Sequence, residues 1–324
     1  MLAHLGTRAL AGAIVVTGVV TLTFLLVRLA PGDPVERLLG PTATPTQLAA
    51  QRRALGLDRP LAAQYAIWLG RFARGDWGRS IATGRPVRAL LGDAVPATLA
   101  LVGTSLVLSY LLGLAVGAWQ SGAGPRVDTA LSITTVTLFA LPGYWLGLML
   151  VMAFTYWAHW LPAFGAAGLD ADGLTGWSRI ADRLRHFALP LATLTLIGVG
   201  GAARFVRGAM RDVMRQPFVT TAAAKGLSPF QVTRRHVARN AFIPVITLIG
   251  LSLPALFSGA VLVEAVFAWP GVGRRLVEAV QARDYPVVMA ATAVTAVLVV
   301  AGNLLTDVGV AWIDPRIRRG RGDA

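Results

Sequence analysis

Lys225, in the stretch VTTAAAKG (219–226), is the only lysine in the sequence. A lysine that holds nucleotide phosphate stands in a glycine-rich loop between Gly and Ser or Thr. Lys225 has Ala224 before it and Gly226 after it, so it is not part of such a loop. The four histidines (His4, His159, His186 and His236) are dispersed, and no HExxH motif places two of them on one helix face. With no cysteine, thiol catalysis, disulfides and thiolate metal sites are excluded. A GxSxG nucleophile elbow is also missing. Two carboxylates, Glu264 and Asp307, fall at the ends of apolar runs, where an acid is a natural marker of an ion path. Each also has a structural reading. Asp307 can form an ion pair with an arginine of the segment 207–240. Glu264 precedes the turn AWPGVG (268–273), and with Pro270 and Gly271 it has the alternative role of a gate or pathway group. A non-helical turn at that depth requires burial in protein or a cavity to line. No metal ion or cofactor is expected on this chain, and no catalytic constellation emerges.

The elements that must position these residues are set by composition. The sequence is 55% hydrophobic and only 14% charged, against about 25% in soluble domains. The formal charge of +14 does not indicate a nucleic-acid partner, because the arginines are scattered among apolar stretches with no basic-aromatic module. An all-α integral membrane protein in contact with lipid is expected. Charge-free windows near the roughly 20 residues that a span needs occur at 9–27, 94–125, 129–169, 186–203, 240–263 and 285–306. The long third window is read as one helix, about 129–157, kinked near Pro142-Gly143. WAHWLP (157–162) then forms an interface belt. Six spans put both termini on one side. Arg8, Arg126, the basic residues of 207–240 and those of the tail 314–324 outnumber those of the opposite short loops, so both termini are expected in the cytoplasm.

Three sections follow: residues 1–93 with the first span and a long outward segment, 94–313 with the remaining spans, and the tail 314–324. Within the outward segment, 44–57 and 59–78 read as short amphipathic helices. In the second, Leu61, Tyr65, Trp68, Leu69 and Phe72 share a face. That face either packs on the membrane domain or receives an outer partner. The inward segment 207–240 reads as a helical hairpin. Arg207, Arg211 and Arg215 align at four-residue spacing, and Pro217 interrupts that helix. Gly226 ends a short small-residue helix, and Ser228-Pro229 opens the next.

VTTAAAKGL followed by RHVARNAFIPV resembles the cytoplasmic EAA loop of ABC importer permeases, the oligopeptide/dipeptide/nickel group in particular. FLLVRLAPGDP (24–34), GDWGRSI (75–81), VEAVFAWPGVGR (263–274) and NLLTDVGVAWIDPRIR (303–318) are similar to that group in the same order. The long loop after the first helix resembles the B-type subunit. The resemblance implies a type I importer permease fold with six transmembrane helices and a large periplasmic loop, in the cell inner membrane. It implies half of a translocation pathway for peptides or similar small solutes. The implied partners are a second homologous permease subunit, two cytoplasmic ATPase subunits that bind ATP and Mg, and an extracytoplasmic substrate-binding protein. By this resemblance Thr220, Thr221 and Ala222 occupy the E-A-A positions without the Glu. Ala224 keeps the docking face small, Lys225 reaches the partner and Gly226 makes the turn. A secondary transporter using Glu264 and Asp307 is the other reading, but no internal repeat accompanies it.

Overall fold

The computed structural model describes residues 2–29, 35, 39–40, 42–54 and 56–313. The expected helix stop at APGDP (30–34) and the tail 314–324 lie outside the described residues. Regular structure among the described residues is helical, apart from one antiparallel bridge between Arg79 and Pro86.

The helices are α1 (Leu2–Leu29), α2 (Pro45–Ala54), α3 (Leu61–Ala73), α4 (Val87–Ser121), α5 (Pro125–Ala140) and α6 (Gly143–Val151), the last continuing as a π turn to Trp157. There follow α7 (Gly176–Met214), α8 (Pro217–Ala224) and α9 (Pro229–Val232), which passes through a second π turn into α10 (Ala238–Val266). α11 (Val272–Ala282) and α12 (Tyr285–Ile313) complete the order. Among the described residues, four stretches are long and apolar enough to cross a membrane: Gly6–Leu29, Val87–Ser121, Gly176–Met214 and Tyr285–Gly309. The broken pair Pro125–Ala140 and Gly143–Trp157 makes a fifth if counted as one span. The fifth window, 240–263, lies in α10, where the qualifying apolar stretch is the shorter Ser252–Val266.

The expected kink at Pro142-Gly143 is a break of 105°. Leu141 (ψ 136°) and Pro142 (ψ 131°) are both extended. Proline disfavours helical geometry in the residue before it, so the chain turns sharply there. Helix α7, with 39 residues, overruns its window at both ends. At 1.5 Å per residue it is roughly 58 Å long, nearly twice the hydrocarbon thickness of about 30 Å.

The chain divides into two compact units. One holds Leu2–Thr98 and Pro270–Val300. Its core joins Val87, Leu91 and Ala94 to Val272, Val287 and Ala291. A row of aromatic rings ties α3 to α1: Phe24 lies 5.2 Å from Tyr65, and Trp68 lies 5.1 Å from Phe72, which lies 5.2 Å from Trp77. The Tyr65 hydroxyl shares a 2.6 Å hydrogen bond with Thr21. Tyr65, Trp68 and Phe72 therefore pack within the chain's own core, as in the first reading of that face. The buried Asp284 accepts from the Ser80 hydroxyl and from Ala82 N (3.2 Å), fastening the 79–86 turn to the head of α12.

The other unit holds Leu99–Trp269 and the chain from Ala301 onward. Here α4 and α5 pack on α7 through small residues. A Cβ on Gly117 would fall 2.6 Å from Ala203 O, and one on Gly200 would fall 2.6 Å from Thr135 O. Lipid gives helices no hydrophobic reason to associate, so close backbone approach of this kind supplies much of the attraction. Gly117→Val is expected to destabilise the purified chain by about 1–3 kcal/mol through overpacking. Gly103→Val on the same helix, where no atom lies within 4 Å, is the control. Thermal denaturation in detergent checks this, and equal midpoints for the two variants would refute the close contact.

Candidate functional site

The hairpin of residues 207–240 begins where α7 is held by charge. Arg207 Nε and Nη2 donate to the two carboxylate oxygens of Asp128 at 2.6 and 2.7 Å, and Arg211 Nη2 adds a bond of 2.9 Å. A forked guanidinium–carboxylate pair fixes geometry as well as charge. Sequence reading aligned the two arginines but assigned Asp128 no role. The available signal was that Asp128 is the one acid between the second and third apolar windows.

Helix α7 ends at Met214, and Pro217 opens α8 at a position where its missing N–H costs nothing. Lys225 is the C-cap, and Gly226 follows at φ +83°, the left-handed conformation that glycine adopts most easily. Gly226 N donates to Ala223 O at 3.0 Å. The chain then restarts through a reciprocal cap. Gln231 N donates to Ser228 Oγ (3.4 Å), and Ser228 N donates to Gln231 Oε1 (3.1 Å). Such a cap is worth about 1 kcal/mol. Two turn devices thus bracket the short helix, as the residue types indicate.

The faces of α8 are unequal. Thr220, Thr221, Ala224, Lys225 and Gly226 are exposed. Ala222 is buried, in one cluster with Val206, Met210, Val232 and Val237. Ala222 therefore anchors α8 to that cluster. A methyl facing inward lets α8 lie close to that cluster. Two aromatics that sequence reading did not single out flank the exposed face: Phe218 is 42% exposed and Phe230 is 72% exposed. A phenylalanine left in water beside a polar turn is the available signal, since isolated side chains of this size gain by burial.

The other expected residues are not brought to this site. Glu264 is fully buried in the last turn of α10. Its carbonyl accepts from Trp269 N at 2.9 Å, and Ala268 takes φ +50° in that turn. Gly271, buried, is the N-cap of α11, and Pro270 beside it is half-buried. Asp307 is half-buried on α12. The described residues contain no group of three or more His, Asp or Glu arranged to hold a metal ion.

Helices α4, α5, α7 and α10 line a partly open cavity of about 760 Å³. Leu194, Ile197, Val136 and Leu256 give it apolar walls, and Ser109, Tyr110, Gln120, Ser252 and Arg204 supply its polar groups. Tyr110 and Ser252 share a 2.6 Å hydroxyl hydrogen bond across it. Glu264 does not line it.

The model of the family described as "Binding-protein-dependent transport system inner membrane component" matches residues 94–319, and that family's N-terminal model matches residues 1–102. The chain is 36% identical over 320 residues to the oligopeptide transport system permease protein AppB of Bacillus subtilis, covering 98% of this chain and 99% of that protein. It is 38% identical over 319 residues to the di/tripeptide transport system permease protein DppB of Pseudomonas aeruginosa, covering 94% and 95%. Among solved structures, an amino acid ABC transporter crystallised with histidines shares the fold, with a TM-score of 0.53, 14% identity, and coverage of 68% of this chain and 93% of that one.

If the charge clamp orders the start of the hairpin, Asp128→Asn will speed tryptic cleavage after Arg207 and Arg211 several-fold. Cleavage after the exposed Arg234 will not change. Mass spectrometry of timed digests checks this, and an unchanged rate at Arg207 would show that the pair orders nothing.

Proposed function

The chain belongs to the family of inner membrane components of binding-protein-dependent transport systems, and from that premise we propose that it forms half of a peptide-translocation pathway driven by partner ATPases. The solute class comes from the relatives' names, several of which are peptide permeases. As an importer component it works with partner subunits. Their composition is part of the proposal: a second homologous permease subunit, two cytoplasmic ATPases that bind ATP and Mg, and an extracytoplasmic substrate-binding protein. This chain itself carries no catalytic step and binds no cofactor.

We place the chain in the inner membrane as six spans with both termini in the cytoplasm. The distribution of arginines supports this orientation, because short cytoplasmic loops hold the basic excess. The broken pair Pro125–Ala140 and Gly143–Trp157 then counts as one crossing and α10 as another.

The observation that carries the coupling role is the exposed face of α8. Thr220, Thr221, Ala224, Lys225 and Gly226 stand out from a helix anchored by Ala222. We propose that this face, flanked by Phe218 and Phe230, docks on the ATPase. Small side chains let the partner approach closely, Lys225 meets a carboxylate or carbonyl there, and the two phenylalanines lose their exposure. Movement of the ATPases is then passed to α7 and α10 through the turns at either end of α8.

Gly226 separates folding from docking. A Cβ there meets no atom of this chain within 4 Å, although its φ of +83° adds some backbone strain. Gly226→Asp is expected to leave the protein level in the membrane near normal and to abolish ATP-driven peptide uptake. Lys225→Ala is expected to reduce uptake only in part. Because the chain has no cysteine, Ala224→Cys also gives a unique cross-linking site. Cross-linking to a single cysteine in the ATPase groove should change when ATP is added. Full uptake by Gly226→Asp, together with no cross-link from Ala224→Cys, would refute the docking role.

A further inference from the structure

The cavity between α4, α5, α7 and α10 contains two polar groups whose bonding capacity is not used up among the described residues. Arg204 lies one residue beyond a charge-free window, on the face of α7 that lines the cavity. Its guanidinium carbon sits 5.5 Å from the centroid of the Phe139 ring. Three residues further on, Arg207 has its charge met by Asp128, which it grips with two bonds. Arg204 has the π face of Phe139 in place of a carboxylate. A cation–π contact orients a guanidinium and leaves its N–H donors open to an anion.

The second group is Gln120, a fully buried side chain that also lines the cavity. Its Nε2 donates to Asp128 O (3.1 Å) and to Ser132 Oγ (2.8 Å), which fixes which end of the amide carries oxygen. Its Oε1 is buried and has no hydrogen-bond partner. A buried acceptor without a donor is costly and rare in folded proteins. The cavity therefore presents an oriented cation and an unmet acceptor between apolar walls, within the size range of small-molecule sites.

We infer that this cavity is a solute site on the translocation pathway that takes a short peptide with a free carboxylate, which Arg204 binds, while a peptide N–H donates to Gln120 Oε1. The inference rests on the peptide-transport reading above and names the part of the chain that recognises the peptide. The apolar wall accepts side chains without selecting among them. The polar groups select features common to every unmodified peptide. An anionic lipid headgroup would offer Arg204 the same charge, but a phosphodiester has no N–H for Gln120.

The test uses the whole complex of this chain with its partner permease and ATPases, in phosphatidylcholine nanodiscs without the binding protein. Radiolabelled trialanine and trialanine amide are the probes. Trialanine is expected to bind about tenfold more tightly than the amide, the scale of one charged hydrogen bond. Arg204→Gln should weaken trialanine binding about tenfold and leave the amide unchanged, so that the two converge. Arg204→Lys should recover part of the difference, because charge is kept while the planar fork is lost. Equal weakening of both probes by Arg204→Gln would assign Arg204 to packing and overturn the inference. Unchanged trialanine binding, with loss of co-purified phosphatidylglycerol, would assign it to lipid and also overturn it. Uptake of trialanine by proteoliposomes containing the binding protein distinguishes the two levels. Uptake without any Arg204-dependent binding overturns the site alone, whereas no peptide uptake by the wild-type complex overturns the transport reading with it.

Discussion

Close contact between α4 and α7 is the constraint from which the unit built on Leu99–Trp269 follows. A Cβ on Gly113 would meet Ala202 Cβ at 2.5 Å, and one on Gly117 would meet Ala203 O at 2.6 Å. Helices in lipid approach this closely only where side chains are nearly absent. Once α7 is held there, its residues are placed in series along one continuous helix. Gly198, Gly201 and Arg204 line the cavity. Arg207 and Arg211 reach Asp128. Val206 and Met210 form the cluster on which Ala222 rests. A larger residue at Gly117 would disturb all three sets together, because they share one rod.

Charge is distributed along that rod according to what each position can satisfy. Desolvating a cation is costly, so arginines within or near apolar helices need partners. Arg207 and Arg211 share one carboxylate on α5. Arg204 rests against an aromatic ring. In the other unit, Arg28 at the end of α1 lies 5.4 Å from the Phe24 ring centroid. Aromatic faces thus serve where a carboxylate would itself be expensive to bury.

Much of the architecture was legible from residue types because membrane spans and helix caps are local properties. Four of the six charge-free windows lie within single helices, the third falls on a broken pair, and Gly226 and Ser228 stand at the turns their chemistry favours. Thr44 and Gln47 cap the start of α2 through bonds between residues three apart, of 3.3 and 2.9 Å. The remainder depends on contacts between distant segments. Asp128 meets Arg207 across 79 positions. Ala222 faces inward because Val206, Met210 and Val237 are there to receive it, and the alanine itself gives no sign of that. The break after α5 was visible as a proline, but its angle of 105° was not, since proline sets one dihedral and neighbouring helices decide the rest. The cavity was hidden for the same reason: four helices contribute to it, and no single segment carries its pattern.

The arrangement also explains why a short helix can serve as a mechanical joint on the proposed reading. An isolated helix of eight residues is too short to hold its own shape in water. Helix α8 is ordered instead by what brackets it: Pro217 at one end, the left-handed Gly226 and the Ser228–Gln231 cap at the other, and Ala222 beneath. A push on its exposed face therefore meets a body tied to α7 through the shared core and to α10 through the capped restart. The Asp128 clamp lies on the same route, between that core and Arg204. Displacement of α8 would be felt at the cavity through α7 as a rigid element, with no need for the intervening chain to unfold. On that reading the proposed solute site and the ATPases lie on different subunits, and the shape of this chain is one of the connections between them.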